Sequence, residues 1–449
     1  MQTPDRLIRS KVTRTFSILT LIAIAIALVS TCATDLAGEA AREAPGAGGT
    51  EVTPDIPDPA DFEGEPRTAP LRYPRLLDDP ETAAVARDDA RNDGAGTNSP
   101  ATDPLIEELL ASLTLRQRIG QRFIAHVPGS RVTYGAGRAI VEVAPAGFII
   151  YPWNFDTAED LRRLTGSLQR LARSVTPGID LLLCADQEGG RVATFRFPEF
   201  VRVPSAHAMG QLGNSPIEAA AYLTGVQMRD LGLNMNLAPV LDVYGVADNS
   251  IIGDRSYSGD PATVAGIVEP YLRGSNRAGI ISVAKHFPGH GITTVDSHGE
   301  LPVVDATLDD VRSRDLIPFA AAIDAGIDVI MTAHILFELV DPFYPVTLSR
   351  LFLTDLLRGE LGFDGVVMSD GMEMGAIRDN YDLTETLIRL FRNDVDLMLL
   401  FVSYDVVELV DQVEELVRIG ELTEDDIDRG VRRVLRLKLD HGLADPGAL

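Results

Sequence analysis

The chain has 449 residues, 45% of them hydrophobic and 24% charged, which is the make-up of a folded protein with a substantial core; it is long enough for one large α/β barrel or for two to three ordinary domains. Acidic residues outnumber basic ones 66 to 40, a formal charge of -26, and no long Lys/Arg block follows the first few residues. That excludes nucleic acid as the natural partner, because neutralising phosphates needs clustered cations, and two cysteines, Cys32 and Cys184, exclude a disulfide scaffold.

Residues 1–32 have the order of an export signal: Arg6, Arg9, Lys11 and Arg14, then the apolar run 16–29, which is short for a bilayer of about 30 Å. Ser30-Thr31-Cys32 at its end resembles a bacterial lipoprotein signal, in which Cys32 would become the lipidated first residue; simple cleavage or a retained membrane anchor are the alternatives, since Thr31 is larger than the usual residue there. Residues 33–102 are rich in Ala, Gly, Pro, Asp and Glu and show little periodic apolar pattern, so they are expected to form a mostly disordered spacer of the kind a lipid anchor needs as a tether. The expected location is therefore the cell envelope, on the periplasmic or extracellular face.

From residue 103 the texture changes to apolar runs alternating with amphipathic patterns. Residues 106–113 and 115–120 read as helical and lead into a first strand at 122–127. A second strand is expected at 146–151, followed by a helix over 157–175; a third strand at 180–185 and a fourth at 233–238 flank a helix over 216–231. The fifth strand is expected at 280–284. Helices over 308–325, 349–361 and 383–393 precede the sixth strand at 328–333, the seventh at 365–369 and the eighth at 395–400, and helices over 406–419 and 423–439 complete the pattern. Cys184, inside the third run, reads as a small buried hydrophobe. Eight short apolar strands separated by helices imply a parallel sheet covered on both faces, here a closed (β/α)8 barrel of the TIM type spanning 103–445 as a single folded domain, with no internal repeat and no second domain after it.

A barrel of this type holds its chemistry at the mouth formed by the C-terminal ends of its strands. Polar residues gather there. The third strand runs into Asp186-Gln187-Glu188-Gly189-Gly190-Arg191, the fourth into Asp242, the sixth into His334 and the seventh into Asp370, while the loop after the fourth carries Gly253-Asp254-Arg255-Ser256-Tyr257-Ser258. The fifth opens into the densest stretch, Lys285-His286-Phe287-Pro288-Gly289-His290-Gly291, continuing through Asp296-Ser297-His298 to Leu301-Pro302; it is expected to leave the buried strand at once and to present these side chains on a Gly/Pro-rich loop.

His286 and His290 are four apart, the spacing of a zinc pair, but Pro288-Gly289 between them prevents the helix that would set both rings on one face, so no metal is expected. No phosphate-binding glycine loop and no Gly-x-Ser-x-Gly elbow follows a strand, so no organic cofactor and no serine nucleophile are expected either. Carboxylate chemistry remains. Asp370, at the end of a buried strand, reads either as a nucleophile kept ionised by nearby cations or as the N-cap of the next segment. Asp296 and His298 read either as an acid/base pair, the carboxylate fixing the imidazole's tautomer, or as a structural loop pair.

The Lys285 to Gly291 run, with Asp296-Ser297-His298 and Leu301-Pro302, resembles the signature of the glycoside hydrolase family 3 β-N-acetylglucosaminidases. The likeness extends to Asp186-Gln187-Glu188-Gly189-Gly190-Arg191-Val192, to Asp254-Arg255-Ser256-Tyr257-Ser258 and to Gly362-Phe363-Asp364-Gly365-Val366-Val367-Met368-Ser369-Asp370, and covers essentially the whole folded part. Four ordered motifs together are highly specific. The resemblance implies retaining hydrolysis of a terminal β-linked GlcNAc from a peptidoglycan- or chitin-derived oligosaccharide, with Asp370 as nucleophile, His298 held by Asp296 as acid/base, and Asp186, Arg255, Lys285 and His286 gripping the sugar, supported by Arg191. It implies neither metal nor cofactor, and a monomer is expected.

Two departures bear on the saccharide: Thr194 stands where cell-wall-recycling relatives often carry a second arginine, and Gly371 where many carry a second acidic residue. A β-glucosidase or a glycoside phosphorylase of the same family, or a catalytically silent envelope sugar-binding protein, are the alternatives.

Overall fold

A computed structural model describes residues 103–245, 249 and 251–448; the expected export signal, Cys32 and the spacer lie outside the described residues. Eight parallel strands close into a barrel: β1 Phe123–His126, β2 Gly147–Ile149, β3 Leu182–Ala185, β4 Met235–Asn236, β5 Ile281–Phe287, β6 Val329–Thr332, β7 Val366–Gly371 and β8 Leu397–Leu399, with β1 pairing both β2 and β8. This is the (β/α)8 barrel that the apolar runs predict.

The strands read as unbroken apolar runs because both of their faces are covered. In β3, Leu182 and Cys184 point into the barrel, where they pack with Ile124, Met235, Val283, Met331, Met368 and Leu397. Leu183 and Ala185 point outward against the helices. Each face follows the period of two along the strand. Burial pushes the Cys184 thiol up, so it stays a protonated, inert core group.

At the opposite end from the mouth, Arg122 is fully buried. Its Nε donates to the Asp396 carbonyl at 2.8 Å and its Nη1 to the Ile427 carbonyl at 2.8 Å, which ties the last helix, Glu424–Asp440, to the seam between β1 and β8. Asp396, also fully buried, accepts from Arg358 at 2.6 Å and Arg433 at 3.0 Å. Three arginines and their acceptors thus close the barrel by charge-assisted bonds where its apolar filling ends.

Several expectations need correction. Four helices are not among the expected elements: the short Ala206–Leu212 and Gly375–Arg378, and the longer Tyr134–Val143 and Pro261–Ala278, of which the first opens with Gly135 and Gly137 and the second contains Gly266, Pro270 and Gly274, residues that blur the helical period. The single helix expected over 308–325 is two, Leu308–Ser313 and Leu316–Asp324, because Pro318 has no N–H for the turn that would join them. β5 does not end at 284. It continues through Phe287, so Lys285 and His286 sit in the strand itself and not on the loop.

Two strands break register where they meet the site. The β5–β6 pairing shifts between Ala284 and Phe287, and the β7–β8 pairing shifts between Met368 and Gly371. These intervals contain Lys285, His286 and Asp370, the places where a local irregularity re-aims side chains from the barrel wall toward the mouth.

Candidate active site

The polar half of the mouth is built by β3, β4 and β5. After β3 the chain makes a small hairpin, Gln187–Gly189 against Val192–Ala193, which holds Asp186 and Glu188 two residues apart and so on one side of an extended segment. Lys285 Nζ lies 2.6 Å from Asp186 Oδ1 and 2.7 Å from Glu188 Oε1, and the Arg255 guanidinium grips both oxygens of Glu188 at 2.8 Å. Burial alone would push Glu188 up, but Arg255 and Lys285 outweigh it and hold the carboxyl far below its usual range. Burial likewise opposes the charge on Lys285, and Asp186 and Glu188 overcome it, so the ammonium titrates above its ordinary value. The side chains of Lys285 and Glu188 are 3% and 4% exposed, whereas 32% of the Asp186 side chain stays exposed.

Arg191 stands just outside this group. Its Nε donates to Asp254 Oδ1 at 2.9 Å and its Nη2 to the Ile251 carbonyl at 2.7 Å, bracing the turn that delivers Arg255.

A second centre is Asp242, fully buried beyond β4. Its Oδ2 lies 2.7 Å from His286 Nδ1, and its Oδ1 accepts the backbone N–H groups of His286 at 3.2 Å and His290 at 2.7 Å. An ionised carboxylate only accepts, so His286 donates from Nδ1 and turns Nε2 toward Arg255 Nη2, 3.5 Å away. The loop after β5 lies flush on this support: a Cβ at Gly291 would come within 1.7 Å of the Val243 carbonyl oxygen, so only glycine fits.

The loop then carries Asp296 and His298, whose side chains are 57% and 74% exposed. Asp296 Oδ1 accepts from His298 Nδ1 at 2.8 Å and from the His298 backbone N–H at 3.0 Å. That hydrogen bond raises the imidazole above its ordinary value and brings Asp296 down to about 2. The loop docks on the segment following β7: the Gly375 N–H donates to the His298 carbonyl at 2.9 Å and the Ala376 N–H to the Ser297 carbonyl at 3.2 Å. Parallel strands Val303–Val304 and Leu336–Phe337 tie the loop's far end to the loop after β6.

Asp370 stands on β7 beneath that contact. Burial would raise its carboxyl, but His286, His334 and His298 outweigh it and bring it to about 2, so the group is ionised at neutral pH. The Gly371 N–H donates to Asp370 Oδ1 at 2.8 Å, and His334 Nε2 donates to the Gly371 carbonyl at 3.0 Å, fixing the strand end.

Glu188, Asp242, His334 and Glu373 complete the site, although the motif reading assigns them no role. Glu188 could have been found from its spacing to Asp186; Asp242 and His334 sit at strand ends but acquire partners only when the barrel closes. Glu373 gives no signal in the sequence. It is 6% exposed, and burial pushes it up to about 7 against the opposite pull of the backbone N–H groups of Phe401, Glu373 and Tyr404. Among the described residues no group of three or more His, Cys, Asp or Glu side chains converges as a metal site; the rings of His286, His290 and His298 turn to separate partners, Asp242, Ser297 and Asp296.

Comparison with known proteins bears on the same region. The sequence model of the glycosyl hydrolase family 3 N-terminal domain matches residues 114–437. The chain is 37% identical over 235 residues to a β-hexosaminidase of Chromobacterium violaceum, covering 51% of this chain and 64% of that protein. It is 31% identical over 334 residues to a β-hexosaminidase of Nitrosospira multiformis, covering 73% and 90%. Among solved structures, a glycoside hydrolase family 3 β-N-acetylglucosaminidase from a Paenibacillus species superposes with a TM-score of 0.71 at 37% identity, over 74% of this chain and 63% of that one. The matched stretch thus amounts to a little under two thirds of the Chromobacterium and Paenibacillus proteins.

Proposed function

The chain belongs to glycosyl hydrolase family 3, and on that footing we propose that it is a retaining exo-β-N-acetylglucosaminidase that removes terminal β-linked GlcNAc from peptidoglycan- or chitin-derived oligosaccharides through a covalent glycosyl-enzyme. One observation carries the reading: the loop that pairs Asp296 with His298 is bonded at Gly375 to the segment following Asp370, so a proton donor and an ionised carboxylate face one mouth.

In the first step the Asp370 carboxylate attacks the anomeric carbon while the bond to the leaving oxygen breaks, and His298 gives its Nε2 proton to that oxygen. Asp296, bonded to Nδ1–H, keeps the proton to be transferred on the nitrogen turned away from it. In the second step the now neutral His298 takes a proton from water, the hydroxide oxygen bonds to the anomeric carbon, and Asp370 leaves as carboxylate; two inversions give net retention. Asp186, Lys285, Arg255 and His286 hold the hydroxyl and acetamido groups of the sugar. Their fixed mutual bonds mean that little ordering remains to be done on binding.

The same proposal places the enzyme in the cell envelope, tethered through lipidated Cys32 and the 33–102 spacer. Release of nitrophenol from β-GlcNAc and β-glucoside substrates, with and without phosphate, tests the activity. Faster cleavage of the glucoside, or a requirement for phosphate, would replace it with a glucosidase or a phosphorylase, and absence of turnover with retained sugar binding would replace it with a binding protein. Fatty-acid labelling compared with Cys32→Ser tests the anchor.

A further inference from the structure

The polar groups described so far occupy the β3, β4 and β5 side of the mouth; the β2 and β8 side is aromatic. Tyr151 follows β2, Trp153 lies two residues on, and Phe401 follows β8. Tyr151 and Trp153 stack with ring centres 4.4 Å apart and planes 18° from parallel, and Phe401 sets its ring edge-on to both, at 4.9 and 6.0 Å. All three are partly exposed.

The stack has a direction. Tyr151 packs on the apolar filling of the barrel and lies in the field of Asp186, Asp370 and Glu373, at the level of the reacting groups. Trp153, stacked on Tyr151, is not among the residues packed on that filling. The turn holding it, Pro152–Asn154, is rigid: Asn154 Nδ2 donates to the Val127 carbonyl at 2.7 Å and to the Gly129 carbonyl at 2.9 Å, its Oδ1 accepts from the Tyr151 N–H at 2.8 Å, and Phe155 packs on Phe197 with ring centres 5.0 Å apart. A partly exposed indole fixed in place by its neighbours presents apolar area without an ordering cost.

We propose that Trp153, backed by Tyr151 and Phe401, is the platform for the second sugar of the substrate, the ring on the leaving-group side of the bond that is cut. A pyranose in a chair carries axial C–H bonds that make one face apolar, and that face fits an indole, whereas the terminal sugar already has the charged side chains to satisfy its hydroxyls. The platform makes a chain of at least two β-linked hexopyranose rings the preferred substrate. This inference rests on the glycosidase reading above.

The test uses the full chain and two substrates, the β-linked GlcNAc disaccharide and the β-fluoride of GlcNAc, which has no second ring. Trp153→Ala is expected to lower the ratio of kcat/KM for the disaccharide to that for the fluoride by about tenfold, mainly through KM, with Trp153→Phe recovering part of the loss. An unchanged ratio would overturn the platform, because it would mean that the indole serves the terminal sugar or neither. Trp153 is also the only tryptophan in the chain, so indole fluorescence reports on this position alone. In the Asp370→Ala full chain the disaccharide is expected to shift that emission and GlcNAc itself to leave it in place; no response to the disaccharide would overturn the proposal. The fluorescence measurement does not need turnover, so it decides the platform even if the wild-type chain cleaved neither substrate, the result that would overturn the glycosidase reading instead.

Discussion

The backbone carbonyl of His298 accepts a hydrogen bond from the N–H of Gly375 at 2.9 Å, and Gly375 lies five residues beyond Asp370. Two groups 72 positions apart in the chain, one on the loop after β5 and one on β7, are thereby set against each other by backbone contacts as well as by barrel closure. The contact is close: a Cβ on Gly375 would fall 2.5 Å from the Gly299 carbonyl oxygen. Gly375→Ala is therefore expected to displace the loop and lower kcat by about tenfold or more while the KM for a nitrophenyl β-GlcNAc substrate changes little, since the residues proposed to hold the sugar are elsewhere. Steady-state kinetics check it; a change in KM alone would show that the loop serves binding.

Asp296→Asn is expected to lower kcat by about a hundredfold to ten-thousandfold and to move the alkaline limb of the pH profile toward lower pH. The sign follows from the direction of the His298 shift. The bond from Asp296 raises the imidazole, so the acid form that the proposed first step needs persists above the ordinary histidine value of 6.5 and is lost as pH rises through the raised value. Removing the carboxylate removes that support. An unmoved limb in the variant's kcat/KM profile would detach His298 from the acid role.

Glu373→Gln makes a stability prediction with a defined pH window. The buried carboxyl titrates at about 7, against 4.5 for an ordinary glutamate, so its folded-state advantage as a neutral acid is complete below about 4.5 and lost progressively up to about 7. Glutamine does not titrate. Between pH 4 and pH 8 the variant should gain about 3 kcal/mol relative to the parent, read as a difference of denaturant midpoints at the two pH values. Equal differences at both would mean that folding leaves the Glu373 carboxyl unshifted.

Glu188→Gln removes the carboxylate that both buried cations share, leaving Lys285 paired with Asp186 and Arg255 with only the more distant Asp242 and Asp186, and is expected to cost about 3 to 5 kcal/mol of stability besides weakening sugar binding. Asp186→Asn, at a partly exposed position, should cost less stability and as much binding. Paired urea melts and inhibitor titrations separate the two.

What was legible in the sequence follows from range. The strands show themselves locally, because Leu182, Leu183 and Cys184 are apolar whichever face they serve, and the polar residues at the ends of β3 to β7 mark the mouth. The residues that complete the site do not. Glu188 meets Arg255 across 67 positions and Asp242 meets His286 across 44, separations at which no periodicity operates and only the closed barrel supplies the neighbour. Asp296 and His298, two apart, were visible as a pair; their docking on Gly375 was not. Glu373 escapes altogether, since backbone groups that reach it, at Phe401 and Tyr404, lie beyond β8 and meet it only when the barrel closes.

As the proposed nucleophile, Asp370 would become covalently attached to the sugar. In a His298→Ala chain, a β-GlcNAc substrate with a good leaving group needs no proton for the first step, but the second step lacks its base, so the intermediate should accumulate. Mass analysis of the quenched and digested protein is expected to find one N-acetylhexosamine on the peptide containing Asp370. Turnover with no adduct, or an adduct on another carboxylate, would contradict the account.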